Sequence, residues 1–223
     1  MAVTREGWWG AALLAGAALL LLWAQGWPAA LPPLALLPLL LFLCRDPRRA
    51  VPPSPLGVVA PVDGRVLRVR EGAWDPFLGR EALVLVLRLS PWGPFLVRSP
   101  IEGQVMRLWR LRRGGAYPRP RGGQRPAAAG LAVWLRTDEE DDVVLALEGP
   151  ALPLRSRCAV PPGARLGQGQ RCGAVYLPAR VRLYLPANAR LKAEAGRRVR
   201  AGEDILASLV HEDVQARAEA LAS

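Results

Sequence analysis

From Gly7 to Cys44 the chain contains no Asp, Glu, Lys, Arg or His. A charge-free stretch of that length has no polar face to turn towards water, so it fills a core or lies in a membrane. Arg5 and Glu6 cancel, which leaves the whole formal net charge of +11 to residues 45–223. Composition therefore excludes a uniformly soluble chain and points to a membrane-anchored basic domain. Disorder is excluded as well, because 51% of residues are hydrophobic and only 22% are charged.

Two apolar runs make up the charge-free stretch, Trp8–Ala24 and Ala29–Cys44, interrupted at Gln25–Pro28. Each is only about 16 or 17 residues, short for a spanning helix, so the pair either crosses or dips into the bilayer as a helical hairpin. A signal peptide fits poorly, since Arg5 stands beside Glu6 and a second apolar run follows at once. Trp8 and Trp9 mark one end of the first run, Trp23 and Trp27 the other. At about 1.5 Å per residue these ends are roughly 22 Å apart, close to the two interfaces of a thin bilayer. Pro32, Pro33 and Pro38 distort the second helix. Residues 1–44 thus read as a membrane anchor and 45–57 as a basic, Pro-containing linker. The flank Arg45-Asp46-Pro47-Arg48-Arg49 favours a cell-membrane location with the remaining domain on the cytoplasmic side.

Beyond Val58 the texture becomes that of short strands. Val58–Ala60, Arg65–Arg70, Leu83–Leu87, Phe95–Arg98, Gln104–Leu108, Leu131–Arg136, Val143–Leu147, Ala174–Tyr176 and Val181–Leu185 are rich in β-formers and separated by Gly and Pro. Residues 58–223 are expected to form a mainly β domain of barrel-sandwich, lipoyl-like type, with a helix only at Val214–Leu221. The segments 60–66, 99–105 and 195–203 look like echoes of one β-turn-β unit.

Side chains able to do chemistry are few. His211 is the sole histidine, and Cys44, Cys158 and Cys172 form no CxxC pair, which argues against a metal site or a disulfide framework. Arg107, Arg110, Arg112, Arg113, Arg119 and Arg121 fall in a Gly- and Pro-rich segment, 107–125, without an acid among them. This segment reads as a mobile loop that contacts anionic lipid headgroups, each Arg near the surface contributing about 1 kcal/mol. A solvated loop in an Arg-biased chain is the plainer alternative. Nucleic acid is a poorer partner, because only Tyr117 offers a stacking surface. The acids 138–142 read as a solvated hairpin tip.

The ordered landmarks resemble the short, membrane-attached bacterial and archaeal phosphatidylserine decarboxylases. Phe42-Leu43-Cys44-Arg45-Asp46-Pro47 is similar to that family's FFRDP segment, and Val59-Ala60-Pro61-Val62-Asp63-Gly64 to its SPADG turn. Leu89-Ser90-Pro91 through Ser99-Pro100-Ile101-Glu102-Gly103 keeps the spacing of LSPxDVHVNRAPxDG, and Cys172-Gly173 through Tyr184-Leu185-Pro186 that of IGxIxFGSRxDVYLP. The resemblance implies a chain that cuts itself at a Gly-Ser bond. The serine then becomes a pyruvoyl group, which captures the substrate amine as a Schiff base, while an Asp and a His manage protons.

Here the serine position holds Ala179, the preceding glycine position Pro178, the histidine position Phe95 and its neighbouring acid Gly93. Only Asp63 remains, and Asp-Gly is also an ordinary turn pair. An alanine methyl neither attacks a carbonyl nor yields pyruvoyl, so no cofactor is expected. Ser156, Cys158, Cys172 and His211 are poorly placed to substitute. The expected function is that of a lipid-binding or regulatory pseudoenzyme of phospholipid metabolism, acting alone, as a homo-oligomer or with an active relative. The alternatives are an active decarboxylase making phosphatidylethanolamine with an unrecognised nucleophile, and a lipoyl-like adaptor. The adaptor reading suffers because Lys192 stands outside the 196–202 turn.

Overall fold

The computed structural model describes residues 2–3, 5–126, 128–149, 157–158, 160–175 and 179–210. The expected helix at 214–221 lies outside them. The chain divides into two compact units, Met1–Arg48 with Trp92–Phe95, and Arg49–Pro91 with Leu96–Ser223.

In the first unit, helix Arg5–Gln25 and helix Trp27–Leu43 are separated by Gly26 alone, at φ 84°. The expected four-residue joint shrinks because glycine accepts the left-handed conformation that reverses the chain. Pro28 then sits in the first turn of the second helix, where its missing N–H costs nothing. Pro32, Pro33 and Pro38 lie inside that helix, as expected. Gly10 brings the helices close: a methyl there would stand 2.9 Å from Leu40 Cδ2. The segment Gly7–Gln25 is long and apolar enough to cross a membrane, with mean hydropathy 1.6, and Trp27–Phe42 is a shorter apolar helix. Trp8, Trp9, Trp23 and Trp27 are all largely exposed. Ala2–Val3 pairs with Arg45–Asp46 across the open end.

The second unit is mainly β, as the strand texture predicts. An eight-stranded antiparallel sheet runs in the order Arg165–Leu166, Gly103–Leu111, Ala129–Arg136, Asp142–Gly149, Arg180–Pro186, Arg80–Leu89, Gly64–Asp75, Arg198–Val199. Two three-stranded sheets accompany it: Arg157–Cys158, Arg171–Ala174 and Leu96–Arg98 in one, Arg190–Leu191, Ile205–Ser208 and Gly57–Val59 in the other. Both faces of the central strands are largely covered, one by a cluster that includes Phe77, Val84, Tyr117, Val144, Ala146 and Tyr184. Leu83, Leu85 and Leu87, Val143, Leu145 and Leu147, and Val181, Leu183 and Leu185 are all buried on the other face.

The strand order is a palindrome about the central pair, where Leu183 faces Leu145. Gly64–Asp75 and Gly103–Leu111 occupy equivalent places, and both shift register after the first valine, between Val66 and Arg68 and between Val105 and Arg107. The turns that open these strands bond to each other reciprocally, Val59 N to Pro100 O and Arg98 N to Pro61 O, both at 2.8 Å. The unit is therefore two related halves around an approximate two-fold axis.

This corrects one expected echo. Segments 60–66 and 99–105 are equivalent, but 195–203 is not a third copy. It docks on the first turn, with Val66 N bonded to Arg197 O and Gly202 N to Ala60 O. Its counterpart is 163–170, which docks on the second turn through Val105 N to Ala164 O and Gly169 N to Ser99 O.

Candidate functional site

The turn Asp63-Gly64 enters a strand so tightly that a methyl on Gly64 would lie 2.1 Å from Arg88 O. Only glycine permits that approach. Asp63 is consequently held at the start of the strand, and its backbone carbonyl accepts from Ser90 N at 2.8 Å. One residue away, Leu89 N reaches the carbonyl of Ala179 at 3.4 Å. The fold thus brings Asp63 and Ala179 to the two flanks of Leu89-Ser90.

Both carboxylate oxygens of Asp63 are engaged. Oδ2 accepts from the Arg49 guanidinium at 2.7 Å, and Oδ1 accepts from Ala201 N at 2.7 Å. Arg49 also reaches Glu203 at 3.4 Å. With side chains only 11% and 14% exposed, the Arg49–Asp63 pair ties the linker, the first turn and the docked turn together. Asp63 does the work of a structural clamp. Ala179 is buried, and its methyl offers no nucleophile and no hydroxyl for an ester. The residues at 63 and 179 therefore do not fit a pyruvoyl group. Phe95 belongs to the first unit and is half-buried, while Gly93 is buried there. Ser156, Pro178 and His211 lie outside the described residues.

The two thiols that look scattered in the sequence meet in space. Cys158 pairs with Gly173 across two short strands, which sets its Sγ 2.6 Å from that of Cys172. The hydrogen bond with Cys172 lowers the Cys158 thiol to about 7, while the contact with Cys158, and then burial, raise the Cys172 thiol. No group of three or more His, Cys, Asp or Glu side chains suited to a metal occurs among the described residues.

The Arg-rich segment is also differently built. Strand Gly103–Leu111 runs past the expected boundary, so Arg107 and Arg110 are strand residues rather than loop residues. Arg119 is pinned. Its backbone N donates to Pro76 O at 2.8 Å, its guanidinium to Leu78 O at 2.8 Å, and its carbonyl accepts from Trp74 Nε1 at 2.9 Å. Arg121 stacks over Trp74 at 5.2 Å. Arg112 and Arg113 remain exposed beside Gly114. Of the acidic tip, Asp138 pairs with Arg165. Asp142 accepts from Arg136 at 2.8 Å and from Trp134 Nε1 at 2.7 Å.

A second polar cluster has no forerunner in the sequence reading. Glu148, only 3% exposed, accepts from Arg182 at 2.7 Å and from the Tyr117 hydroxyl at 3.4 Å. Burial raises the Glu148 carboxyl, and Arg182 offsets part of that. Burial likewise raises Tyr117 and Tyr184. The alternation Arg180-Val181-Arg182 is the one sequence signal of this cluster, since it places two arginines on the face opposite Val181.

An apolar helical pair followed by a two-fold antiparallel β-unit, with an acid-glycine turn beside residue 179, defines a class narrow enough to compare. The model of the phosphatidylserine decarboxylase family matches residues 39–207. A phosphatidylserine decarboxylase proenzyme of Nitrosomonas eutropha is 33% identical over 212 residues, covering 92% of this chain and 94% of that protein. Proteins of the same name from Nitrosomonas europaea and Aromatoleum aromaticum are 34% and 31% identical, covering 80% and 93% of this chain and 82% and 95% of their own lengths. The chain belongs to the phosphatidylserine decarboxylase family.

Proposed function

We infer that this member is a membrane-attached protein of phospholipid metabolism that neither processes itself nor decarboxylates. This reading is carried by Ala179, which the resemblance puts at the family's serine position and which is buried beside a strand whose neighbouring acid is engaged at both oxygens. Self-processing needs an oxygen nucleophile on the residue that becomes pyruvoyl, and a methyl group supplies none. The apolar helical pair holds the β-unit at a lipid surface on the cytoplasmic side. Exposed arginines of the 107–125 segment, led by Arg112 and Arg113, meet anionic or aminophospholipid headgroups there. Its role is regulatory or lipid-binding, alone, as a homo-oligomer or beside an active relative.

The test is an intact mass of the full chain purified from membranes. One species of 24.1 kDa is expected. Two fragments divided between Pro178 and Ala179, with a carbonyl at the new N-terminus, would establish the opposite reading, an active decarboxylase.

A further inference from the structure

Cross-strand partners share a face of a sheet. On the outer face, opposite the buried leucines, three rows cross strands Gly64–Asp75, Arg80–Leu89 and Arg180–Pro186. They are Arg65–Arg88–Arg180, Arg68–Val86–Arg182 and Arg70–Val84–Tyr184. With strands about 4.8 Å apart, these guanidinium groups stand over one patch of roughly 10 Å. Arg180 and the second and third rows line a concavity of about 540 Å³ whose wall includes Arg125 and Trp74.

The related half shows how such a row is neutralised from within. There the row equivalent to Arg65–Arg88–Arg180 is Gln104–Arg136–Asp142. Asp142 binds Arg136 at 2.8 Å and Arg80 at 3.6 Å. In the first half the acid's place is taken by Arg180, beside Arg88. Its cross-strand partner on the other side, Glu148, is engaged by Arg182 at 2.7 Å. Arg68, Arg70, Arg125 and Arg180 are exposed and form no ion pair among the described residues. Like charges gathered at this spacing repel unless an anion joins them.

We propose that the concavity on the outer face of the first half binds a phosphoryl anion through Arg68, Arg70, Arg125 and Arg180, with Arg182 held in place by Glu148. Guanidinium forks match tetrahedral oxyanions in a bidentate manner, and a phosphate carrying an organic tail also gains the floor of Val84 and Val86 and the ring of Trp74. The ligand is a phosphate monoester, presented either as a lipid headgroup or as a soluble ester. The site stands whether or not the chain processes itself.

Two probes separate the sources, titrated calorimetrically into the full chain in an uncharged detergent: glycerol 3-phosphate and dihexanoyl phosphatidic acid. Saturable binding of at least one is expected. Binding of both marks a site open to soluble esters, and binding of the lipid alone marks a headgroup site. Arg68→Gln with Arg70→Gln is expected to weaken binding about tenfold or more, since two charge-assisted contacts go, while Arg112→Gln with Arg113→Gln changes it less than about twofold. Arg180→Asp installs the acid of the related half. It is expected to abolish binding; because it also sets an acid opposite Glu148, Arg180→Gln serves as the second variant, expected to weaken binding with the melting temperature held, so loss of fold is not confused with loss of the site. The proposal is overturned if neither probe binds, if Arg180→Asp binds as the parent does, or if the loop pair weakens binding as much as the pocket pair.

Discussion

The two halves of the β-unit share a backbone and differ in what they place on it. Each opens a long strand with a glycine pressed against a neighbouring carbonyl, shifts register after the first valine of that strand, and receives a docked turn. In the first half the turn acid, Asp63, is clamped by Arg49 and Ala201 N. Its equivalent in the second half, Glu102, is 63% exposed and meets Arg165 only at 3.6 Å. The outer face reverses the contrast, with paired charges in the second half and unpaired arginines in the first. Two-fold geometry fixes where side chains go, and the individual sequence decides which half carries charge that matters.

The sharpest way to break the equivalence is at the glycines. Gly64→Ala and Gly103→Ala place a methyl 2.1 Å from Arg88 O and 2.3 Å from Arg136 O, and backbone has no rotamer with which to yield. Both substitutions are expected to cost about 3 kcal/mol or more, at the upper end of overpacking effects, and to lower the yield of folded protein. Denaturant unfolding of the two variants checks this. One tolerated methyl would end the equivalence at the level of the backbone.

Next come the turn acids. Arg49→Met leaves the Asp63 carboxylate nearly buried without its cation, at a cost of about 3 kcal/mol, whereas Glu102→Ala changes stability by about 0.5 kcal/mol or less. Adding Asp63→Asn to Arg49→Met removes the stranded charge and is expected to recover part of the loss. Equal melting temperatures for Arg49→Met and Glu102→Ala would show the clamp to be idle.

The helical pair was legible because charge-free sequence leaves few alternatives, and the strands because runs of β-formers such as Leu83–Leu87 and Val181–Leu185 are parted by Gly and Pro. The equivalence of 163–170 with 195–203 was not. Their glycines sit in a common frame only until Glu203, where the first half has one residue more, and the partner strands are distant in sequence. The Arg49–Asp63 clamp and the Arg68–Val86–Arg182 row were hidden for the same reason: they exist only once register is set. The sequence also names the residue on which the proposed loss of processing rests, Ala179, since a methyl group needs no coordinates to be recognised.

Buried charge separates the halves in its pH response as well. Burial raises the Glu148 carboxyl, so the folded state holds its proton at a pH where the unfolded chain has released it. The sign is then fixed. This group favours the folded state as pH falls towards the ordinary carboxylate range near about 4.3, and that contribution is lost as pH rises through the folded value. The place of Glu148 in the first half is occupied by Pro186, which has no charge to titrate. Glu148→Gln is expected to flatten the dependence of unfolding free energy on pH in that window. Asp75, raised by its own burial, keeps a remainder of the same sign. An unchanged slope would mean that Arg182 keeps Glu148 ionised throughout.

The smallest expected effect lies where the second half carries Cys158 and Cys172 and the first carries Leu191 and Leu206. Leu206 is fully buried and Cys172 nearly so, which marks both as core positions. Thiols here pack as small apolar groups, and the sulfur pair at 2.6 Å adds only reactivity. Alkylation followed by peptide mass mapping is expected to modify Cys158 with half-maximal rate near pH 7, and to leave Cys172 unmodified in the folded chain. Writing the first half into the second, Cys158→Leu with Cys172→Leu, is expected to shift stability by less than about 1.5 kcal/mol, because the related backbone already houses two leucines there. A larger loss would show that the two-fold relation of the chain path does not extend to the space around the side chains.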